Sequence, residues 1–280
     1  MVLFPNCKIN LGLRVAGKRP DGYHDLETIF YPISLKDAAE ITVYPHKKEY
    51  PEFDLTITGM QIPGDPSTNL CSKAWHLIKK DFPAIPAIRM HLHKSVPIGG
   101  GLGGGSSDGA FTLVLLNEVL KLNLTTEKLL DYALQLGSDC PFFILNKPCF
   151  ATGRGEILEK INIGLNEYHF VIIDPGIHIS TAESFRELII SGKKMPSLKK
   201  IIEQPVIFWK ENLVNDFEEP VFRKHPLLKE IKQKLYESGA AYASMTGTGS
   251  CLYGIFHNSK KTANLFSGEK FMVYLLNQSH

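Results

Sequence analysis

The chain has 280 residues, 44% of them hydrophobic and 21% charged, and a formal net charge of +2. This is the composition of a soluble globular protein with one large domain or two ordinary ones, and it offers no electrostatic case for a nucleic-acid partner. No apolar run approaches the ~20 residues of a membrane span, and five scattered cysteines without a C-x-x-C pair predict reduced thiols in a cytoplasmic compartment, not a zinc site or a disulfide framework.

Residues 7–15 alternate. Cys7, Ile9, Leu11, Leu13 and Val15 share one face and Lys8, Asn10, Gly12 and Arg14 the other, which predicts a strand. Lys8 and Asn10 then project side by side, either on an exposed strand face or as a polar pair. The polar residues Asn6, Lys8, Asn10 and Arg14 also exclude a signal peptide's apolar core in this stretch. Next comes Gly17-Lys18-Arg19-Pro20-Asp21-Gly22-Tyr23-His24, a turn-rich segment. Its Tyr23 and His24 either pack against their own loop or offer a base a stacking face and a hydrogen-bonding edge. Residues 39–44 and 53–58 predict an antiparallel strand pair, and the turn at 65–70 leads into a helix over 71–81 closed by Pro83 and Pro86.

Residues 88–93 alternate as a half-buried strand does, and 110–120 are apolar enough for a buried helix capped by Ser106, Ser107 or Asp108. Between them lies Pro97-Ile98-Gly99-Gly100-Gly101-Leu102-Gly103-Gly104-Gly105-Ser106-Ser107, in which six glycines in the seven positions 99–105 leave a backbone with almost no Cβ atoms. A strand, a glycine nest and a helix N-terminus gather N–H donors and the positive end of a helix dipole, so the expected ligand is an anion, a nucleotide phosphate first. The P-loop pattern fails because no Lys follows the last glycine. The pattern G-x-G-x-x-G fits Gly99, Gly101 and Gly104, but no acid ends a second strand about 20 residues on, where the helix still runs.

Thr125-Thr126-Glu127-Lys128 starts a further helix, which Gly137 stops. Asp139, two residues before Pro141 and an apolar run, reads equally as a helix cap or as a carboxylate base held at a helix end. Residues 150–156 are a turn-rich crossing and the strand at 169–174 ends in Pro175-Gly176, so the domains are expected over 1–155 and 156–280. The second half predicts helices at 181–191 and 227–238, a less regular helical region over 198–217, and strands at 241–245 and 251–256. Thr246-Gly247-Thr248-Gly249-Ser250 joins those last strands as a hairpin turn, whose Gly247 and Gly249 would let its backbone lie against the first loop. Pairs such as Lys193-Lys194 and Lys199-Lys200 read as solvated faces.

Three separated signals, Lys8 with Asn10, the loop 99–107, and Thr246 to Ser250, resemble in that order the three motifs of the GHMP kinases, small-molecule ATP-dependent kinases. The likeness spans nearly the whole chain, carried by Pro5-Asn6-Cys7-Lys8-Ile9-Asn10-Leu11, by Asp21-Gly22-Tyr23-His24 and by Gly99 to Ser107. The resemblance implies an α+β two-domain fold. Its N-terminal domain would be like the second domain of ribosomal protein S5, with an unusual left-handed β-α-β crossover, and its C-terminal domain ferredoxin-like. It implies ATP and Mg2+ as cofactors and, within the family, phosphorylation of the 2-hydroxyl of 4-diphosphocytidyl-2-C-methyl-D-erythritol in the non-mevalonate route to isoprenoids.

Carried over by position, the resemblance implies Asp139 as general base and Lys8 as its electrostatic partner. Asn10 would hydrogen-bond the acceptor alcohol. Pro97, Gly99, Gly101, Gly103, Gly104, Gly105, Ser106 and Ser107 would form the ATP phosphate loop, with Asn69 and Lys94 at the adenosine end. Tyr23 and Phe185 would sandwich the cytosine, His24 would read its edge and Thr181 would lie close by. Cys7 replaces the family's usual Ala, Ser138 and Cys140 flank the aspartate in place of Ala and Val or Ile, and Thr246 and Thr248 replace Ser. Three other readings compete. A different alcohol within the family is disfavoured by Tyr23, His24 and Phe185, a dinucleotide-dependent oxidoreductase by the missing acid, and a binding module without catalysis by Lys8 with Asp139.

Overall fold

The computed structural model describes residues 1–44, 50–63, 65, 68–188, 196–258, 266 and 269–277. The first half of the chain runs β1 (Val2–Leu3), β2 (Asn6–Lys18), β3 (His24–Lys36), β4 (Ala38–Val43), β5 (Phe53–Gly59), α1 (Leu70–Asp81), β6 (Ile88–Lys94), α2 (Gly104–Leu120), α3 (Thr126–Leu136) and α4 (Cys140–Leu145). The second runs β7 (Cys149–Thr152), β8 (Ile157–Lys160), β9 (His169–Asp174), α5 (Thr181–Glu187), α6 (Leu198–Ile202), α7 (Trp209–Asn212), α8 (Glu218–Lys224), α9 (Pro226–Glu237), β10 (Tyr242–Met245), β11 (Leu252–Phe256) and β12 (Met272–Asn277). These elements form two compact units that alternate along the chain. One contains Met1–Cys7, Leu35–Ile98 and Gly103–Asn146, the other Lys8–Ser34, Gly99–Leu102 and Lys147–His280.

In the first unit a sheet of order β1-β4-β6-β5 is covered by helices. Strands β4 and β5, expected to pair with each other, do not. β6 lies between them, antiparallel to β4 and parallel to β5. The reason is α1. It links β5 to β6 as a β-α-β crossover, the kind of connection a parallel pair requires, and this places β6 in the centre with Ile88, Met90 and Leu92 buried on one face. Helix α2 is apolar almost all round and packs against α1, α3, α4 and β4. Gly109 permits this closeness, since a Cβ there would come within 2.8 Å of the Leu70 side chain.

The second unit holds two sheets, β2-β3-β7-β8 and β10-β11-β9-β12. The latter is antiparallel throughout. It shares a core with α8 and α9 in which Leu13, Val171, Ile173, Phe217, Leu228, Leu235, Ala243 and Leu252 are buried. Phe150 and Ala151, read as part of a turn, belong to β7, and only the bend before β8 turns. Helix α5 covers the start of the expected helix 181–191, of which 189–191 lie outside the described residues. Lys193, Lys194 and the Pro66 and Ser67 of the expected turn at 65–70 lie outside them too. No helix among the described residues is long and apolar enough to cross a membrane, and all five cysteines are buried with none in a disulfide.

Candidate functional site

In the second unit, β2 delivers Lys8 and Asn10 to a place where both faces of the strand are covered. Lys8 is 3% exposed and Asn10 2%, so the polar face is a buried pair and not a solvated one. Lys8 Nζ donates to Asn10 Oδ1 at 2.6 Å and to Gly101 O at 3.0 Å, and stands 5.0 Å from the centre of the Phe30 ring. Thr28 Oγ1 accepts from Asn10 Nδ2 at 2.9 Å and in turn donates to Gly12 O at 2.6 Å. That chain leaves the Asn10 carbonyl oxygen facing the ammonium. Both of these acceptors are neutral amide oxygens, so they orient the ammonium.

Thr246, in the turn between β10 and β11, joins the same group. Its Oγ1 accepts from Asn10 N at 3.1 Å and lies 3.2 Å from both Asn10 Oδ1 and Gly101 O, to either of which it can donate. The expected approach of the two small-residue loops is borne out at Gly247. Gly101 sits at φ +81, and a Cβ there would fall 2.1 Å from Thr246 O, while one on Gly247 would meet Gly101 Cα at 3.1 Å. Gly249 abuts Met245 and Ile179 instead. Gly100 is equally confined, because its Cβ would come within 2.2 Å of Cys251 Sγ.

The loop then enters the first unit and becomes a helix. The expected cap at Ser106, Ser107 or Asp108 does not form. Gly103 occupies the cap position at φ 71, in the left-handed region, and no side chain caps α2. The serines are in the first turn, and two of the three candidates are engaged elsewhere: Ser107 Oγ donates to Asn6 O at 2.6 Å and Asp108 Oδ2 accepts from Lys94 Nζ at 2.7 Å. A glycine cap leaves the first-turn N–H groups to an outside acceptor. Gly105 is exposed, and a Cβ there would meet nothing within 4 Å. Helix start, glycines and open space together fit a phosphate-like anion.

Lys94 is buried beneath that helix start, between Asp108 and Asp37. Asp37 Oδ1 also accepts from Ser95 N at 2.6 Å and Val96 N at 2.9 Å. Burial works against the Lys94 charge, but the two carboxylates outweigh it and hold its pKa above the ordinary value. Asp108 is pushed up to about 7 by burial, opposed by Lys94 and assisted by the charge of Asp37. Asn69 caps α1, its Oδ1 accepting from Cys71 N at 2.8 Å, and Pro97 is buried. Asp139 stands half-buried at the N-cap position of α4, and its carboxylate makes no capping hydrogen bond. Beside it, burial pushes the Cys140 thiol up to about 12 against a hydrogen bond to Ser106, with the Asp139 charge adding to the rise, so this thiol is inert.

Also in the second unit, His24 stacks on Phe185 with ring centres 4.8 Å apart. Phe185 meets Phe217 edge-on at 4.8 Å. Tyr23, 54% exposed, lies under the Arg154 guanidinium at 4.8 Å. Thr181 Oγ1 is 3.2 Å from Thr248 Oγ1. Each aromatic ring therefore already has a protein partner, and Tyr23 offers the more open face. Sequence reasoning missed Thr28, the Thr246 hydroxyl and the Asp37–Asp108 pair. For the last, two acids within 14 and 57 residues of Lys94 gave no spacing that could single them out.

The family model "GHMP kinases N terminal domain" matches residues 69–147 and "GHMP kinases C terminal" matches 209–267. A protein of Bacteroides fragilis named 4-diphosphocytidyl-2-C-methyl-D-erythritol kinase is 47% identical over 265 residues, 95% of each chain. A protein of the same name from Bacteroides thetaiotaomicron is 50% identical over 256 residues, covering 91% of this chain and 92% of that one. Among solved structures, a 4-(cytidine 5'-diphospho)-2C-methyl-D-erythritol kinase superposes with a TM-score of 0.83 at 28% identity over 99% of both chains. The mevalonate kinase of Methanococcus jannaschii superposes with a TM-score of 0.72 at 15% identity, over 100% of this chain and 98% of that one, a likeness of fold alone.

Proposed function

This chain belongs to the GHMP kinases, and we propose that within them it transfers the γ-phosphoryl group of ATP to the 2-hydroxyl of 4-diphosphocytidyl-2-C-methyl-D-erythritol. The products are the 2-phosphate and ADP. The observation that carries the reading is the buried Lys8 ammonium, held by Asn10 Oδ1 and Gly101 O at the root of the glycine loop. Two relatives of that name, 47% and 50% identical over more than nine-tenths of their length, support the choice of substrate. The division into an ATP-binding half over 1–155 and a C-terminal half over 156–280 belongs to the same proposal, and the two family matches fall on either side of it.

The chemistry follows from what these side chains can do. Phosphoryl transfer needs little covalent help, so positioning and charge dominate. Gly99, Gly101, Gly103, Gly104, Gly105, Ser106 and Ser107 surround the phosphates, Pro97 starts the loop, and Asn69 and Lys94 serve the adenosine end, Lys94 through the helix start it supports. Mg2+ bound to the phosphates supplies charge neutralisation. The described residues hold no group of three His, Cys, Asp or Glu suited to a metal, so phosphate oxygens would be most of its ligands. Asp139 accepts the proton of the tertiary hydroxyl, and Asn10 hydrogen-bonds that alcohol. Lys8 keeps Asp139 ionised and offsets charge on the transferring group. Tyr23 and Phe185 flank the cytosine, with His24 moved off Phe185 to read the base edge and Thr181 close by.

ADP release by the purified protein with Mg2+-ATP tests this, using the cytidylyl alcohol beside its cytidine-free counterpart, mevalonate and homoserine. Release with the cytidylyl substrate alone is expected. Release with another of the alcohols would keep the kinase and overturn the cytosine subsite, and silence on all four would overturn the reaction.

A further inference from the structure

Asn215-Asp216-Phe217-Glu218 lies between α7 and the start of α8, far in sequence from every motif above. Asn215 is 3% exposed. Its Nδ2 donates to Met245 O at 2.9 Å and to Gly247 O at 2.8 Å, and its Oδ1 accepts from Phe217 N at 3.0 Å. Asp216 Oδ2 accepts from Val15 N at 2.8 Å, while the backbone of the segment pairs with β2 through Asp216 N to Leu13 O at 2.8 Å and Leu13 N to Val214 O at 3.0 Å. Glu218 Oε1 accepts from Ser244 Oγ at 3.0 Å and Met245 N at 2.8 Å, and Oε2 accepts from Lys232 Nζ at 2.6 Å. Three polar side chains on one short segment thus grip β2 just past Asn10 and the chain on both sides of Thr246.

We propose that Asn215, Asp216 and Glu218 are positioning residues, a clamp that sets the Thr246 hydroxyl against β2 and so fixes where Lys8 Nζ and Asn10 point. This rests on the reading of Lys8 and Asn10 given above. Thr246 Oγ1 lies 3.2 Å from Asn10 Oδ1 and from Gly101 O, the same two oxygens that accept from Lys8 Nζ. Bonds of that length are lost with a further shift of a few tenths of an ångström. A misplacement on the order of 1 Å in a reacting geometry costs about 10²-fold in rate. Burying the Asn215 amide and the Glu218 carboxylate, with Asp216 half-buried beside them, is unfavourable unless their polar atoms are matched. Apolar side chains would close the same space, but without directional bonds to Met245 O, Gly247 O and Val15 N they would not fix its register.

Steady-state kinetics of Asn215→Leu, Asp216→Leu and Asp216→Asn with the cytidylyl alcohol, together with amide hydrogen exchange of each protein without substrate, test the clamp. Asn215→Leu and Asp216→Leu are expected to lose about 10–10²-fold in kcat with KM for ATP changed less than about threefold. Asp216→Asn keeps an acceptor for Val15 N and is expected within about threefold of the wild type. Exchange should quicken in residues 8–16 and 242–250 and stay unchanged in β9. Unchanged kcat in both leucine variants, Asp216→Asn as slow as Asp216→Leu, or faster exchange throughout the chain would each overturn the clamp. If Asn215→Leu fails to fold, the Asp216 pair decides. If the wild type does not use this alcohol, the exchange pattern still decides, a local rise supporting the clamp and its absence overturning it.

Discussion

The Lys8 side chain shows how little of a site spacing alone conveys. Alternation along β2 was enough to put Lys8 and Asn10 on one face, but it could not say that this face is buried. Burial comes from Thr246, 236 residues from Asn10, and from Gly101, 93 residues from Lys8. Asp139 was legible as a helix-end carboxylate because Pro141 and the apolar run after it mark α4, at whose N-cap position it stands without a capping bond. Replacing Asp139 by Asn keeps the shape and removes the proposed base. We expect kcat to fall by about 10²–10⁴-fold with the melting temperature unchanged, and near-normal turnover would reject the role. Lys94 gives a contrasting case. Lys94→Met leaves Asp37 and Asp108 buried without their cation, so chemical denaturation should show a loss of about 3–5 kcal/mol. A lysine serving only the nucleotide would leave stability untouched.

At the scale of elements, the strands and helices that carry a regular pattern were legible and their neighbours were not. The pattern of β4 and β5 shows two strands but contains nothing about β6, which arrives only after α1 has crossed the sheet. Helix α8 begins just past the expected helical region 198–217 and carries Pro220 in its first turn, where proline is tolerated. The glycine loop was legible as an anion site, yet its glycines serve different ends, and two alanine substitutions should separate them. Gly101→Ala forces a Cβ into the carbonyl of Thr246 at a positive φ. It should cost about 1–2 kcal/mol from the backbone alone and cut activity sharply. Gly105→Ala meets no protein atom within 4 Å and lies inside α2. It should raise stability by about 0.5–1 kcal/mol while raising KM for ATP, since the methyl group stands where the phosphates approach. Parallel changes in the two variants would sink this division of labour.

At the scale of the whole molecule, buried carboxyls hold a store of stability that is lost as pH rises. The Asp108 carboxyl titrates near 7 when folded, against an ordinary carboxylate value of 3.8. Between those limits the folded protein keeps a proton that the unfolded chain gives up. Its contribution is therefore complete below about pH 4 and is lost as pH rises through about 7. Asp216, also raised by burial, acts in the same sense. Melting temperatures of the wild type and Asp108→Asn across that range should diverge toward neutral pH, the wild type losing more, and parallel curves would refute the assignment. The order of synthesis adds a last consequence. Strands β2 and β3 are neighbours, but β7, which completes their sheet beside β3, begins at residue 149, well after β3 ends at residue 36. At roughly 5–20 residues per second the ribosome needs on the order of ten seconds to cover that gap. Lys8 is thus made more than 200 residues before Asn215 and Thr246, the residues that close over its strand. A nascent chain halted between residues 108 and 214 holds every residue proposed for the phosphate loop, while Thr246, which meets Gly101 O and Asn10 beside Lys8, has yet to be made.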